Sequence, residues 1–222
     1  MRAAPLALIT GLLPLLCIHL TYVVAASHGH VDWCVPYWDS CTSISATGRQ
    51  LPEKLLFKLI MLPAGLLAIV FWWIAREWLW QACQRRSPAM LATGAIAGLF
   101  LMLYVVALGE GRDYQTIRRI GIILFFSLTF VAQLFFLHHA RRALQALKLD
   151  QRRVVNIQTA LAAMLLTIGI LSVVLDLTYA RYDDIEDAFE WVMMLFIVGQ
   201  FISHYPLWNR VNLRIRISSG QD

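Results

Sequence analysis

The chain has 222 residues, of which 59% are hydrophobic and only 15% are charged, and its mean hydropathy is +0.62. Soluble domains are closer to about 45–50% apolar with about a quarter of their residues charged, so this composition excludes an ordinary soluble fold and indicates a membrane protein. The net charge of +5 would suit nucleic acid in a soluble protein, but here the basic residues lie between apolar runs, so no nucleic-acid partner is expected.

Six apolar runs are each close to the length of about 20 residues that crosses the hydrocarbon of a bilayer. In chain order they cover residues 6–26, 55–79, 90–108, 120–137, 159–179 and 189–207. A lipid-exposed backbone must satisfy its own hydrogen bonds, so each run is predicted to be a helix. The chain is therefore predicted to be all-α, with residues 1–222 forming one polytopic six-transmembrane-helix bundle.

The first run has two interpretations. Arg2 precedes it and Ala25-Ala26-Ser27 ends it, which is typical of a cleaved signal peptide. However, the run is long for a signal peptide, and it contains Pro14 and His19. We expect it to be retained as the first transmembrane helix.

The distribution of basic residues predicts the orientation of the bundle. With the N-terminus inside, twelve of the 19 Lys and Arg residues fall on the inner side and seven on the outer side. This bias predicts that both termini are cytoplasmic, N-in and C-in. The long loop of residues 27–54 then lies outside. The expected location is the inner membrane of a bacterial cell, or otherwise a plasma membrane or endomembrane.

The long loop carries Cys34 and Cys41, which face the oxidising side in this orientation. A disulfide between them is predicted, and two free thiols are the alternative if that side is not oxidising. His28, His30 and Asp32 of the same loop are potential metal ligands. They lack a fourth ligand and a fixed geometry, so no metal site and no cofactor are predicted.

Ionisable side chains inside a membrane are costly and therefore indicate function. Several such residues fall at a similar depth near the outer ends of the predicted helices, which predicts a pocket open to the outside that binds a lipid or its head group. The predicted pocket residues are His19, Lys58, Glu110, Arg112, Asp176 and Glu190, of which Lys58 and Arg112 would suit a phosphate on the ligand. The alternative is that Lys58 pairs with Asp176 or Glu190 only to hold the helices together.

Other motifs leave the question of enzymatic activity open. The sequence contains no hydrolase elbow, Walker loop, dinucleotide fingerprint or zinc-protease helix. Gly94 and Gly98 form a GxxxG pattern, which permits close contact with another helix. That surface favours an alternative function, in which the chain is a non-catalytic accessory subunit of a larger membrane complex.

The end of the long loop resembles the first-loop signature of the Frag/DRAM/Sfk family of six-helix membrane proteins. The residues that match the signature in spacing are Ser45, Gly48, Pro52 and Glu53. Gly121, at the start of the fourth run, and Trp191, at the start of the sixth, resemble two further family positions. Ser43 and Ala46 depart from the signature, where an aromatic residue and often an Asp are expected.

The resemblance implies a role that involves membrane lipid. Members of the family are linked to lipid remodelling on glycosylphosphatidylinositol anchors, to phospholipid asymmetry and phosphoinositide signalling, and to autophagy. The resemblance carries no catalytic group onto this sequence. We therefore expect a protein that handles or remodels a lipid or lipid-linked head group at the outer leaflet. If the protein has chemistry, acyl or phosphoryl transfer with a histidine or carboxylate base is the expected class.

Overall fold

A computed structural model describes residues 3–147 and 152–210, and within those ranges the secondary structure is helical, without strands. Three short 3-10 turns, Ala46–Gly48, Arg112–Tyr114 and Tyr182–Asp184, lie in the connections. The helices are α1 (Ala4–Ser27), α2 (Pro36–Asp39), α3 (Glu53–Cys83), α4 (Pro88–Ala107), α5 (Gln115–Ala146), α6 (Arg152–Thr178), α7 (Glu186–Ile202) and α8 (His204–Arg210).

Among the described residues six helices are long and apolar enough to cross a membrane, which confirms the prediction of an all-α bundle with six spans. The sixth span, Glu186–Arg210, consists of α7 and α8 together. Several helices extend beyond the apolar runs, and α5 occupies Gln115–Ala146 where the run covers 120–137. Hydropathy detects only the part of a helix that lies in hydrocarbon, whereas the helix itself continues into polar residues. The N-in, C-in orientation stays a prediction.

The six spans form a closed ring in which α1, α3, α4, α5, α6 and α7 follow one another and α7 returns to α1. From α3 to α7 the connections are short, which favours consecutive helices as antiparallel neighbours, whereas the long segment after α1 joins it to α3. The segment of residues 28–52 covers one end of the ring, which we call the loop end. α1 packs closely against α7, with Gly11 against Ile202 and the backbone of Val198, and its retention stays a prediction.

Gly94 and Gly98 make the close helix contact that the GxxxG pattern predicts, and they make it within the chain. Both residues are buried between α3 and α4. A Cβ on Gly94 would overlap the ring of Trp72, and a Cβ on Gly98 would lie 2.9 Å from the carbonyl oxygen of Gly65. The small residues are therefore used within the chain, because they let α3 and α4 approach closely.

The ring is packed unevenly around its circumference. Residues 166–178, the half of α6 nearest the loop end, contain no buried side chain, although they include Ile170 and Leu177. Elsewhere each spanning helix buries a face against its neighbours. The weakest part of the wall is therefore the loop-end half of α6.

The sixth span is interrupted at Ser203, between the end of α7 and the start of α8. Pro206 accounts for the interruption, because proline has no N–H to donate and its ring clashes with the carbonyl four residues earlier, that of Ile202. The interruption places His204 in the core, fully buried, near the end of the bundle opposite the loop.

Candidate functional site

The long loop is attached to the first turns of α7 by three hydrogen bonds. Trp191 Nε1 donates to the carbonyl of Thr42 at 2.8 Å, and the Ile44 N–H donates to Glu190 Oε2 at 3.1 Å. The N–H of Ala188 donates to the Ser40 hydroxyl at 3.2 Å. These bonds satisfy donors and acceptors that lie near the end of the membrane-spanning region, and they hold the loop across the end of the ring.

A second set of bonds attaches the loop to α1. The Tyr22 hydroxyl donates to the Cys34 carbonyl at 2.7 Å and accepts from the Cys34 N–H at 2.8 Å. The Thr21 and Thr47 hydroxyls are hydrogen-bonded to each other at 3.2 Å. Cys34 and Cys41 form a disulfide, with Cα atoms 6.6 Å apart, as predicted. The loop is therefore attached at several points across the end of the ring.

His19 lies directly under this cover. Its Nδ1 donates to the Leu15 carbonyl at 2.8 Å, so Nε2 is the acceptor for the Tyr37 hydroxyl at 3.0 Å. Burial raises the pKa of Tyr37, which keeps its proton available for this bond. The His19 ring also meets Trp191 edge-on, at a centroid distance of 5.6 Å. His19 thus connects α1, the loop and α7.

Lys58 and Glu110 meet at a different place, the end of α4. Glu110 Oε1 accepts from Lys58 Nζ at 2.6 Å and from Lys54 Nζ at 2.8 Å. The hydrogen bonds from Lys54 and Lys58 lower the pKa of Glu110 to about 2, so its carboxylate stays charged. The lysines also donate to the carbonyls of Val106 and Gly109, at 3.0 Å each. The Val106 carbonyl belongs to the last turn of α4, where carbonyls have no helical N–H donor and cations are favoured, and Gly109 follows the end of that helix.

The structure does not bring the predicted pocket residues into one group. Asp176 is exposed on the unburied half of α6, and Lys58 pairs with Glu110 instead of Asp176 or Glu190. Arg112 lies in the turn Arg112–Tyr114, but its side chain is outside the described part of the structure. The predicted residues therefore divide into Lys58 with Glu110 at the end of α4, and His19 with Glu190 under the loop.

A small cavity lies under the loop, in the middle of the ring. Its volume is about 20 Å³, enough for roughly one water molecule. The surface that faces the cavity is almost entirely apolar, although two of the lining residues, Glu190 and Tyr104, carry a polar group. The other lining residues come from five spanning helices and the loop: Pro14, Ile18, Ile44, Phe57, Met61, Leu101, Ile122, Phe125, Phe126 and Met194.

The polar groups of Glu190 and Tyr104 differ in their partners. Glu190 has the Ile44 N–H as a donor to one of its oxygens. Tyr104 is only 2% exposed, and its hydroxyl has no hydrogen-bond partner among the residues that the structure describes. A buried hydroxyl without a partner is a group that a ligand with polar atoms could hydrogen-bond. Sequence reasoning missed Tyr104, because one tyrosine in an apolar helix carries no distinguishing signal.

Sequence reasoning also missed the pairing of His30 with Glu53. His30 Nδ1 and Glu53 Oε1 are 2.6 Å apart, and the Glu53 side chain is fully buried at the start of α3. In the sequence His30 is a potential metal ligand and Glu53 is a signature residue, and nothing in the sequence relates them. The path of the loop, which brings His30 back to α3, is seen only in the structure. The pair forms another attachment of the loop.

The signature residues have structural roles at the loop end. A Cβ on Gly48 would lie 2.8 Å from Leu108 Cδ2, so glycine lets the loop pack tightly on α4. A Cβ on Gly121 would lie 3.0 Å from Tyr104 Cβ, where α5 crosses α4. The Ser45 hydroxyl accepts from Arg49 Nη2 at 2.7 Å, and Pro52 ends the loop just before α3.

The comparison with protein families gives one match. The sequence profile of the Frag1/DRAM/Sfk1/Cwh43P N-terminal domain matches residues 2–206, which is most of the chain. Neither the comparison with curated proteins nor the comparison with solved structures gives a match.

Proposed function

The chain belongs to the Frag1/DRAM/Sfk1/Cwh43P N-terminal domain family, and from that premise we propose that it binds a membrane lipid in the outer leaflet, beneath the loop. The observation that carries the proposal is the cavity, whose surface is almost entirely apolar and whose lining includes Glu190 and Tyr104. Binding sites for small molecules are typically lined by apolar side chains with a few polar groups that orient the ligand. A lipid has the matching chemistry, with a long apolar part and a few polar atoms near its head.

The cavity must widen to admit an acyl chain, since it now holds about one water. Widening costs least where the fewest packed contacts are lost. Ile122 and Phe126 of α5 form part of the cavity wall, and α6, the neighbour of α5 in the ring, buries no side chain in its loop-end half. We propose that the lipid enters sideways from the bilayer at this position, and the loop above stays closed.

Lys54 and Lys58, which lie together near the end of α4, would bind a phosphate group of the lipid head. Lys54 and Lys58 share the single carboxylate of Glu110, which leaves one positive charge in excess. Lysine binds phosphate as a point charge and suits a head group that retains mobility. Remodelling of the bound lipid by acyl or phosphoryl transfer stays a prediction, as the geometry under the loop identifies no nucleophile.

A cavity-filling variant tests the proposal. Met194→Trp places a large ring in the cavity, and Leu195→Trp places the same ring on the exposed side of α7. We expect Met194→Trp to lower the amount of lipid that copurifies, measured by native mass spectrometry, by about tenfold, which corresponds to 1.4 kcal/mol of binding free energy. Leu195→Trp is the matched control and should retain lipid as the unaltered protein does.

A second variant tests the polar end of the site without a change in volume. Glu190→Gln should alter which lipid head groups are retained, and Glu186→Gln, on the exposed first turn of α7, should not. Folding is checked for every variant by its elution as a single species in mild detergent. Full lipid retention in a folded Met194→Trp protein would contradict the proposal.

The alternative, a non-catalytic accessory subunit, stays a prediction. The glycine surface no longer supports it, since Gly94 and Gly98 are buried within the chain. The same purification distinguishes the two functions, because a stoichiometric protein partner would support the accessory function and a lone chain with a defined lipid would support lipid binding.

A further inference from the structure

The half of the bundle opposite the loop has a polar cluster in its core. Four of its side chains are almost completely buried, with exposed fractions of 0% for His204 and Gln158, 2% for Gln133 and 3% for Gln200. Gln158, Gln200 and His204 come from α6, α7 and the start of α8 and are bonded to one another. Gln133 lies on α5 one turn before Phe136, whose ring lies 4.4 Å from that of His204. None of the four belongs to the cavity under the loop.

Part of this cluster is hydrogen-bonded internally. The Gln200 side-chain amide donates to the Gln158 carbonyl at 3.1 Å, and His204 Nδ1 donates to the Gln200 carbonyl at 2.8 Å. Since Nδ1 carries the proton, Nε2 of His204 is an acceptor. That nitrogen has no partner among the described residues, and neither do the side-chain oxygens of Gln158, Gln200 and Gln133.

Unpartnered donors surround the same cluster. The His204 ring lies 5.7 Å from the ring of Trp208 and 6.5 Å from that of Trp72, measured between centroids. Trp78 stacks on Phe136 at 5.6 Å, and Phe136 lies 4.4 Å from His204. The indole N–H groups of these three tryptophans have no partner within the described part of the chain.

The combination of donors and acceptors selects the ligand. A cation would satisfy only the acceptors, and no carboxylate in the cluster offsets the cost of a charge in the membrane interior. An anion would satisfy only the indole and amide donors. Water both donates and accepts, and buried water typically makes about three hydrogen bonds to otherwise unsatisfied groups. We propose that the junction around His204 is an internal water-binding site, separate from the lipid site.

The interruption of the sixth span is part of this site. Pro206 leaves the Ile202 carbonyl without its helical N–H donor, and that carbonyl lies two residues from His204. Irregular backbone at membrane depth is tolerated where it is buried in protein or lines a hydrated space. Bound water would satisfy this carbonyl, which Pro206 leaves without a donor, together with the side chains of the cluster.

Radiolytic hydroxyl-radical labelling with mass spectrometry tests this proposal, because radicals form from water beside the side chain that they oxidise. We expect Trp208 to be oxidised at least about threefold faster than Trp191, although both are 0% exposed. Trp191 is the matched control, since its N–H is bonded to Thr42. Equal, slow oxidation of the two tryptophans would overturn the proposal, and this comparison needs no variant.

A variant and a salt series sharpen the result. Gln158→Leu removes a buried acceptor at similar volume and should reduce the labelling of Trp208 several-fold, while the exposed Trp38 is labelled as before. Unchanged labelling of Trp208 in the folded variant would overturn the assignment of Gln158. A melting temperature that rises with Na⁺ or K⁺ but not with choline would assign the acceptors to a cation and overturn the assignment to water.

Discussion

The two ends of the bundle satisfy their polar side chains in different ways. At the loop end, Trp191, Tyr22 and His19 bond to the loop or to side chains that it carries. At the opposite end, Trp72, Trp78 and Trp208 have indole N–H groups without a partner among the described residues. The long loop provides the hydrogen-bond partners at the loop end. The backbone N–H and C=O groups of an irregular segment are not used in helical hydrogen bonds, so they can bond to side chains.

The largest expected effect is a loss of stability that is confined to the loop end. Trp191→Ala removes a fully buried ring and its bond to Thr42, and we expect a loss of about 3–5 kcal/mol in the free energy of unfolding. Unfolding in mixed micelles measures the loss, and Trp38→Ala, which truncates a side chain that is 84% exposed, is the control. Hydrogen exchange should increase under the loop and not around His204. A uniform increase would show that the ends are not independent.

A smaller effect is expected from the disulfide of the loop. Cys34 and Cys41 are 7 residues apart, and closing so short a loop stabilises by about 2–3 kcal/mol in the chain-entropy treatment. The double variant Cys34→Ser, Cys41→Ser should lose that amount and show faster exchange in the loop. Cys83→Ser alters a thiol outside the loop and should leave both measurements unchanged. An unaffected loop in the double variant would mean that its bonds to α1 and α7 suffice.

The smallest expected effect concerns the ion pairs of Glu110 with Lys54 and Lys58, at the end of α4. The hydrogen bonds from Lys54 and Lys58 lower the pKa of Glu110 to about 2 in the folded protein, below its ordinary value of 4.5. The stabilisation is therefore complete above the ordinary pKa and is lost as the pH falls through the folded value. Because Glu110 is exposed, the effect is small and decreases with salt.

The variant Glu110→Gln should be slightly less stable than the unaltered protein near neutral pH and should equal it at about pH 2. The measurement is the unfolding midpoint against pH, repeated at low and high ionic strength. Glu186→Gln is the control, since no ion pair is seen for Glu186 within the described residues. A difference from Glu110→Gln that persists at pH 2 would contradict the electrostatic origin.

Most contacts of the candidate site could not be predicted from the sequence. Lys58 and Glu110 are 52 residues apart, and Ile44 and Glu190 are 146 apart, so no local pattern relates them. The prediction that the ionisable residues share one pocket used only their similar depth in the membrane. Residues at the same depth can still lie on different sides of the ring of helices. Asp176 has the expected depth, yet it lies on the exposed half of α6.

Sequence alone was sufficient for six helices, a long loop and a disulfide within that loop, because these depend on run length, composition and short spacing. Tertiary structure decided which face of each helix points inward. In water an apolar stripe reveals the inner face, but a helix in lipid is apolar all round, so its inner face follows from packing and shape. For that reason the glycine contact of α4 with α3, the pair of His30 with Glu53 and the cluster around His204 came only from the structure.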